Sequence, residues 1–153
     1  MLSIDWLAGF YEGEGNPYAV SYKNFRLSIV QKSREVLDWI QSDHGGKVSI
    51  HINGGGYQWQ LYGDEAVKLA YVLLQHMCIS HKIEQMKKAL ILSNKMEPRS
   101  QEETEEVMQW KEKVKERSIG YNKKYWQERK TTKDYMRRHP EVIEETLTKV
   151  GKR

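Results

Sequence analysis

Residues Leu7 to Gly15 read LAGFYEGEG, a run of small and apolar side chains that closes on two glutamates, each followed by a glycine. Ser3 is placed to cap a helix running to about Tyr11, whose apolar positions Ile4, Leu7, Ala8 and Tyr11 recur at spacings of three and four. A glutamate at the C-terminal end of such a helix faces the negative pole of its dipole, which disfavours an anion by up to about 1 kcal/mol, and Glu12 and Glu14 also repel one another. A divalent cation or a lysine between the carboxylates reverses that balance, and hard cations such as Mg2+ take oxygen ligands. Ala8, Gly9 and Gly13 leave room for another helix to approach, with Gly9 and Gly13 on adjoining turns. If that helix is a second copy of this one, each chain brings its carboxylates to one shared axis.

Outward from this stretch the hydrophobic period switches between two and 3.6. Phe25-Arg26-Leu27-Ser28-Ile29 alternates apolar with polar after a turn at Lys23-Asn24, which predicts a hairpin with one buried face. Val36, Leu37 and Ile40 then mark a helix with Ser33 as its cap and Gly45-Gly46 as its stop. A second hairpin follows. Val48, Ile50 and Ile52 oppose Lys47, Ser49 and His51, and beyond the Gly54-Gly55-Gly56 turn Tyr57, Trp59 and Leu61 oppose Gln58, Gln60 and Tyr62. Asp64 and Ser80 are placed to cap two further helices, the second closed off by Pro98.

Antiparallel strands interleaved with helices in this order predict an α+β domain with helices on one sheet face. The other face then carries Arg26, Ser28, Lys47, Ser49, His51, Gln58, Gln60 and Tyr62, rich in hydrogen-bonding groups and without a carboxylate. An ordinary solvated face has a similar polarity, so the missing acids are the informative part.

From Arg99 onward the composition changes. Ser100 and a glutamate-rich first turn, followed by lysines and an arginine up to Arg117, have the charge order a helix dipole favours. Between Arg117 and His139, eight Lys and Arg stand against Glu128 and Asp134, interleaved with Tyr121, Tyr125, Trp126 and Tyr135, a pattern suited to phosphate contacts or to a solvated tail. A last helix of mixed charge is expected over Pro140 to Val150.

The 153 residues carry a formal charge of +4, which favours a polyanionic partner, and 39% hydrophobic residues, which predicts a modest core that an oligomer interface supplements. Cys78 is the only cysteine, so an intrachain disulfide is excluded and a small buried residue is expected there. Neither a signal peptide nor a membrane-length apolar run is legible, which suits a soluble intracellular protein of undetermined compartment. The five tryptophans lie beside apolar positions and read as packing groups. His76, Cys78 and His81 stand close together but have no matching second pair for a zinc site, and no phosphate-binding or dinucleotide fingerprint is present.

LAGFYEGEG resembles the signature of the LAGLIDADG homing endonucleases: Leu7, Ala8 and Gly9, an aromatic pair, then acid-Gly-acid-Gly, with glutamates where the family has aspartates. The predicted element order over about residues 3 to 95 is similar to that family's αββαββα core, whose antiparallel sheet forms a DNA-binding saddle. On this resemblance residues 1–97 form the endonuclease core and 98–153 a helical extension with a basic DNA-contacting segment. The resemblance implies that Glu14 binds a catalytic divalent metal, Mg2+ with Mn2+ as substitute, and that the carbonyl of Gly13 assists. Gln31, at the end of the second strand, matches a polar residue that orders solvent near the scissile phosphate, and Lys82 matches an active-site lysine. An exposed strand-end glutamine and a solvated helix lysine are the ordinary readings of the same two residues. One motif per chain implies a homodimer, with Leu7, Ala8, Gly9, Tyr11 and Glu12 at the interface and a nearly palindromic double-stranded DNA target cut to leave 3′ overhangs. Arg26, Gln58 and Gln60 become the leading base readers, followed by Tyr22, Asn24, Ser28, Lys47, Ser49, His51 and Tyr62. Arg129, Lys130, Thr131 and Lys133 become contacts to the DNA backbone. Two other classes share the motif: a relative that binds nucleic acid without cutting, as an intron RNA maturase or a regulator, and an interaction domain in which the motif only packs helices.

Overall fold

The structure, a computed structural model, describes residues 2–21, 23–51 and 55–138, with side chains described up to 130 except at 122, 126 and 129. Two compact units divide it, Met1–Lys111 and Glu112–Arg153. In chain order the elements are α1 (Ile4–Glu14), β1 (Gly15–Ser21), β2 (Asn24–Gln31), α2 (Glu35–His44), β3 (Lys47–Ile50), β4 (Tyr57–Tyr62), α3 (Gly63–His76), α4 (Ser80–Leu92) and α5 (Gln101–Arg138). The expected αββαββα order is present, followed by α4 and α5. The helix expected over Pro140 to Val150 lies outside the described residues.

The four strands form one antiparallel sheet in the order β1-β2-β4-β3. β1 is an edge strand, which accommodates Pro17, since a proline cannot donate to an inner ladder. Phe25, Leu27 and Ile29 of β2 and Trp59 and Leu61 of β4 point to the helix side. They meet Leu7, Ala8 and Tyr11 of α1, Leu37 and Ile40 of α2, Ala66, Ala70 and Leu73 of α3, and Met86, Ala89 and Leu90 of α4 in one core. Ile50 shares the inward parity but is 73% exposed, because the short edge strand β3 runs past the end of that core.

Several local devices differ from those expected. The Ser3 hydroxyl caps α1 by accepting from the Trp6 amide at 3.2 Å, and α1 runs three residues beyond Tyr11 to Glu14. α2, however, is capped at Arg34, not Ser33, and α3 at Tyr62, not Asp64, in neither case through a side-chain bond. Gly45 ends α2 at a φ of 72°, and its carbonyl accepts from the Trp59 indole at 2.8 Å, tying the helix end to β4. α4 stops at Leu92, well short of Pro98, in a turn where Asn94 takes a φ of 57°. Cys78 is exposed instead of buried, since it lies in the short link between α3 and α4. Among the described tryptophans Trp59 is fully buried and Trp110 half-buried, whereas Trp6 and Trp39 are 40% and 51% exposed.

Candidate active site and nucleic-acid interface

The end of α1 sets the geometry. Glu14, the last residue of the helix, is exposed, and the chain enters β1 at the buried Gly15. Gly15 is required by packing: a Cβ there would lie 2.4 Å from the ring of Tyr11. Gly13 has open space around it.

Glu12 and Glu14 part company. Glu12 is only 7% exposed, and its Oε1 accepts from the backbone amides of Cys78 at 2.6 Å and Ile79 at 2.5 Å. Ile79 is the N-cap of α4 and Cys78 the residue before it, so a carboxylate from α1 holds the chain where it enters that helix; Ser80, expected as the cap, is instead the first helical residue. The positive N-terminal end of α4 thereby compensates the unfavourable end of α1. Pinning the two helix ends also places Lys82, three residues beyond Ile79, with its Nζ donating to the Gly15 carbonyl at 3.3 Å. Gln31 ends β2. The register pairs Gly15 with Ile29, so Gln31 lies two residues past that row, at the end of the sheet where α1 terminates. Lys82 thus meets the residue that follows Glu14, and Gln31 ends its strand at the same end of the sheet.

The α1 faces are the reverse of part of the expectation. Leu7, Ala8, Tyr11 and Glu12 are between 0% and 7% exposed within their own chain, because these positions are the helix's inward stripe. Only Gly9 of the five expected interface residues stands outward. The outward stripe is Trp6, Gly9, Phe10 and Gly13 at spacings of three and four, with Trp6 and Phe10 stacked at 5.0 Å between centroids and nothing near a Cβ built on Gly9 or Gly13. An Asp5 carboxylate lies 2.6 Å from the His76 imidazole and ties the start of α1 to the end of α3.

The open sheet face holds Arg26, Lys47, Ser49, Gln58, Gln60 and Tyr62 as expected, in rows fixed by the pairs Arg26 and Tyr62, Ser28 and Gln60, Lys47 and Gln60, and Ser49 and Gln58. Asn24 is exposed at the start of β2, and the His51 amide donates to the Gly56 carbonyl at 3.0 Å. Ser28 is 2% exposed and accepts from the Gln58 amide at 2.8 Å, so it lies beneath the surface and supports Gln58. None of the four strands contains an aspartate or glutamate. Asn16 and Tyr18 of β1 also stand on this face, opposite Ser28 and Arg26, and were not singled out from the sequence. The alternation of Asn16, Tyr18 and Val20 with Pro17 and Ala19 was the available signal, masked by the proline. Lys130 is exposed on α5; Tyr22 and the side chains of Arg129, Thr131 and Lys133 lie outside the described residues.

No protein-family model and no curated protein sequence matches the chain. Solved structures do. The homing endonuclease I-CvuI in complex with its target is similar at 25% identity, over 72% of this chain and 78% of that one, with a TM-score of 0.51. An archaeal intron-encoded homing endonuclease, I-Vdi141I, complexed with DNA, is similar at 20% identity over 74% and 82%, with a TM-score of 0.53. The LAGLIDADG homing endonuclease I-LtrWI, bound to target DNA, is similar at 17% identity over 73% of this chain and 44% of that one, with a TM-score of 0.55. This chain has the LAGLIDADG homing endonuclease fold. Within that fold LAGFYEGEG is the first helix and its exit into the sheet, and the carboxylate-free face is the open side of the saddle. Among the described residues of this LAGLIDADG fold, no helix is long and apolar enough to cross a membrane.

Proposed function

We propose that the chain is a metal-dependent, site-specific DNA endonuclease that works as a homodimer on a long, nearly palindromic target and leaves 3′ overhangs. The observation that carries this reading is the separation of the two glutamates: Glu12 is consumed by the Cys78 and Ile79 amides, while Glu14 stays exposed next to Gly15, whose carbonyl Lys82 meets. A carboxylate left free beside a lysine, at the edge of a face that carries no acids, suits a phosphodiester approaching that face.

The donor set fits a hard divalent cation only in part within one chain. Glu14 and the Gly13 carbonyl are oxygen donors of the kind Mg2+ or Mn2+ takes, yet no group of three His, Cys, Asp or Glu able to hold a metal occurs among the described residues. Two copies pairing along Trp6, Gly9, Phe10 and Gly13 bring two Glu14 carboxylates together and complete the set. A divalent cation held there supplies charge stabilisation at the phosphate and a more acidic water. The chain's own residues do the remainder: Gln31 orients solvent at the end of β2, Lys82 holds positive charge near the phosphate, and Glu12 keeps Lys82 in place. Core residues 1–97 carry the site, and the basic extension 98–153, with Lys130, Arg129, Thr131 and Lys133, meets the DNA backbone. The span of I-LtrWI that this chain matches, less than half, leaves length there for a second such unit.

Incubating the protein with a randomised duplex library and Mg2+, then sequencing cut ends, tests the reading. Recovery of one nearly palindromic site with 3′ overhangs is expected. Enrichment of a bound sequence with no cut ends supports the non-cleaving alternative.

A further inference from the structure

Arg26 sits in the middle of a cross-strand row in which Tyr18 of β1 and Tyr62 of β4 are its direct neighbours. Its guanidinium carbon lies 4.4 Å from the centroid of the Tyr18 ring and 5.7 Å from that of Tyr62, so the cation is flanked by two aromatic faces. Both rings are themselves held. The Tyr18 hydroxyl accepts from Asn16 Nδ2 at 2.7 Å, and Asn16 Oδ1 accepts from Gln85 Nε2 of α4 at 2.7 Å, which anchors the ring to the helix layer. On the other side the Tyr62 hydroxyl donates to Gln60 Oε1 at 2.9 Å. Arg26 Nε is buried without a hydrogen-bond partner, and the side chain makes no ion pair among the described residues.

We propose that Tyr18 and Tyr62 are a clamp that presets Arg26 as the guanine-reading residue of this face, so that each half of the target carries one G·C pair specified by this side chain. The inference rests on the sheet face being the DNA-contacting surface. An unconstrained arginine loses rotamer freedom when it docks, whereas one already lying between two rings has lost it before binding, and its planar fork of donors keeps one orientation. Guanine offers two acceptors, O6 and N7, on its major-groove edge; adenine presents a donor beside its N7, which a fork of donors cannot match. With Nε buried, the terminal Nη1 and Nη2 are the donors left to make that pair. The tyrosines are positioning residues and Arg26 the contact.

The test selects duplexes from a randomised pool by binding in a calcium buffer and compares the bound sequences of four proteins. The unsubstituted chain is expected to favour guanine at one symmetric pair of positions by about 5- to 150-fold. Arg26→Gln should lose that preference or move it to adenine, while the rest of the selected sequence persists. The Tyr18→Leu/Tyr62→Leu pair should relax that position alone, and the Tyr18→Phe/Tyr62→Phe pair, which keeps both rings against the guanidinium but loses the hydroxyl bonds, should keep the larger part of it. A guanine preference that survives Arg26→Gln overturns the proposal, as does equal behaviour of the leucine and phenylalanine pairs. If the leucine pair does not fold, Tyr62→Leu alone, which leaves the Tyr18–Asn16–Gln85 bonds in place, supplies the ring-deleted arm. A selected sequence without an Arg26-dependent guanine leaves the DNA-binding reading standing and the clamp refuted; a pool enriched for nothing refutes both.

Discussion

Glu12 shows how much one carboxylate does when its partners are backbone amides. Removing it leaves the Cys78 and Ile79 N–H groups without their acceptor, at about 1–3 kcal/mol each. Glu12→Ala is therefore expected to destabilise the fold by roughly 2–5 kcal/mol in urea unfolding followed through the buried Trp59, and Glu12→Gln, which keeps one acceptor oxygen, by less. Equal stability of Glu12→Ala and the parent chain would show that the α1–α4 tie contributes nothing. Tyr11 offers a second residue-scale reading. Burial pushes its phenol well above the ordinary value of 10.0. The sign follows: the buried neutral phenol contributes stability in full below pH 10, and this is lost as pH rises because the unfolded chain ionises first, with a slope of up to about 1.4 kcal/mol per pH unit. Tyr11→Phe should flatten the alkaline limb of stability against pH by one titrating group, and an unchanged limb would remove Tyr11 as its cause. Individual residues were legible to different depths. The motif identified Glu14 and Glu12 as a pair, but only the position of Ile79 and Cys78, 67 and 66 residues away in sequence, tells which acid is spent on structure.

At the scale of elements, the proposed homodimer uses the outward stripe of α1, Trp6, Gly9, Phe10 and Gly13, to pair two chains. Because a Cβ at Gly9 meets nothing, Gly9→Leu should leave the folded chain intact and even raise its stability through better helix propensity, by about 1 kcal/mol or less. The same substitution should weaken self-association by at least tenfold, since it separates two helices meant to touch. Sedimentation equilibrium alongside a thermal melt separates the effects, and a Gly9→Leu protein that associates as well as its parent would move the interface elsewhere. Element type and order were readable because each element has a clean period: Phe25, Leu27 and Ile29 at two, Leu7, Ala8 and Tyr11 at three and four. The direction in which α1 faces was not readable. Leu7 and Tyr11 are apolar and thus suit either a core or an interface, and only the packing of α3 and the sheet against them decides for the core. Caps failed for a related reason. Ser33, Asp64 and Ser80 have suitable chemistry, yet the chain enters those helices through Arg34, Tyr62 and Ile79, and at α4 a distant carboxylate holds the amides of Cys78 and Ile79 instead. The first strand of the expected hairpin is present as β1, but the face that Asn16 and Tyr18 share is hidden by Pro17, which only an edge strand tolerates, and edge position is a property of the sheet.

The whole molecule joins a helix layer, an acid-free saddle face and a composite end where α1, β2 and α4 converge. The architecture followed from the sequence in outline, whereas the network of Gln85, Asn16, Tyr18, Arg26 and Tyr62 appears only once β1 is set beside β2 and α4. The proposed activity rests on two Glu14 residues acting at one DNA site. That is tested most directly with a target obtained from the cleavage library, the parent chain and Glu14→Gln, by measuring strand cutting in Mg2+ and the number of chains bound per duplex. Two chains per duplex are expected for both proteins, with Glu14→Gln binding within a few-fold of its parent and cutting more than about 100-fold slower. Undiminished cutting by Glu14→Gln, or one chain per duplex, would contradict the composite site.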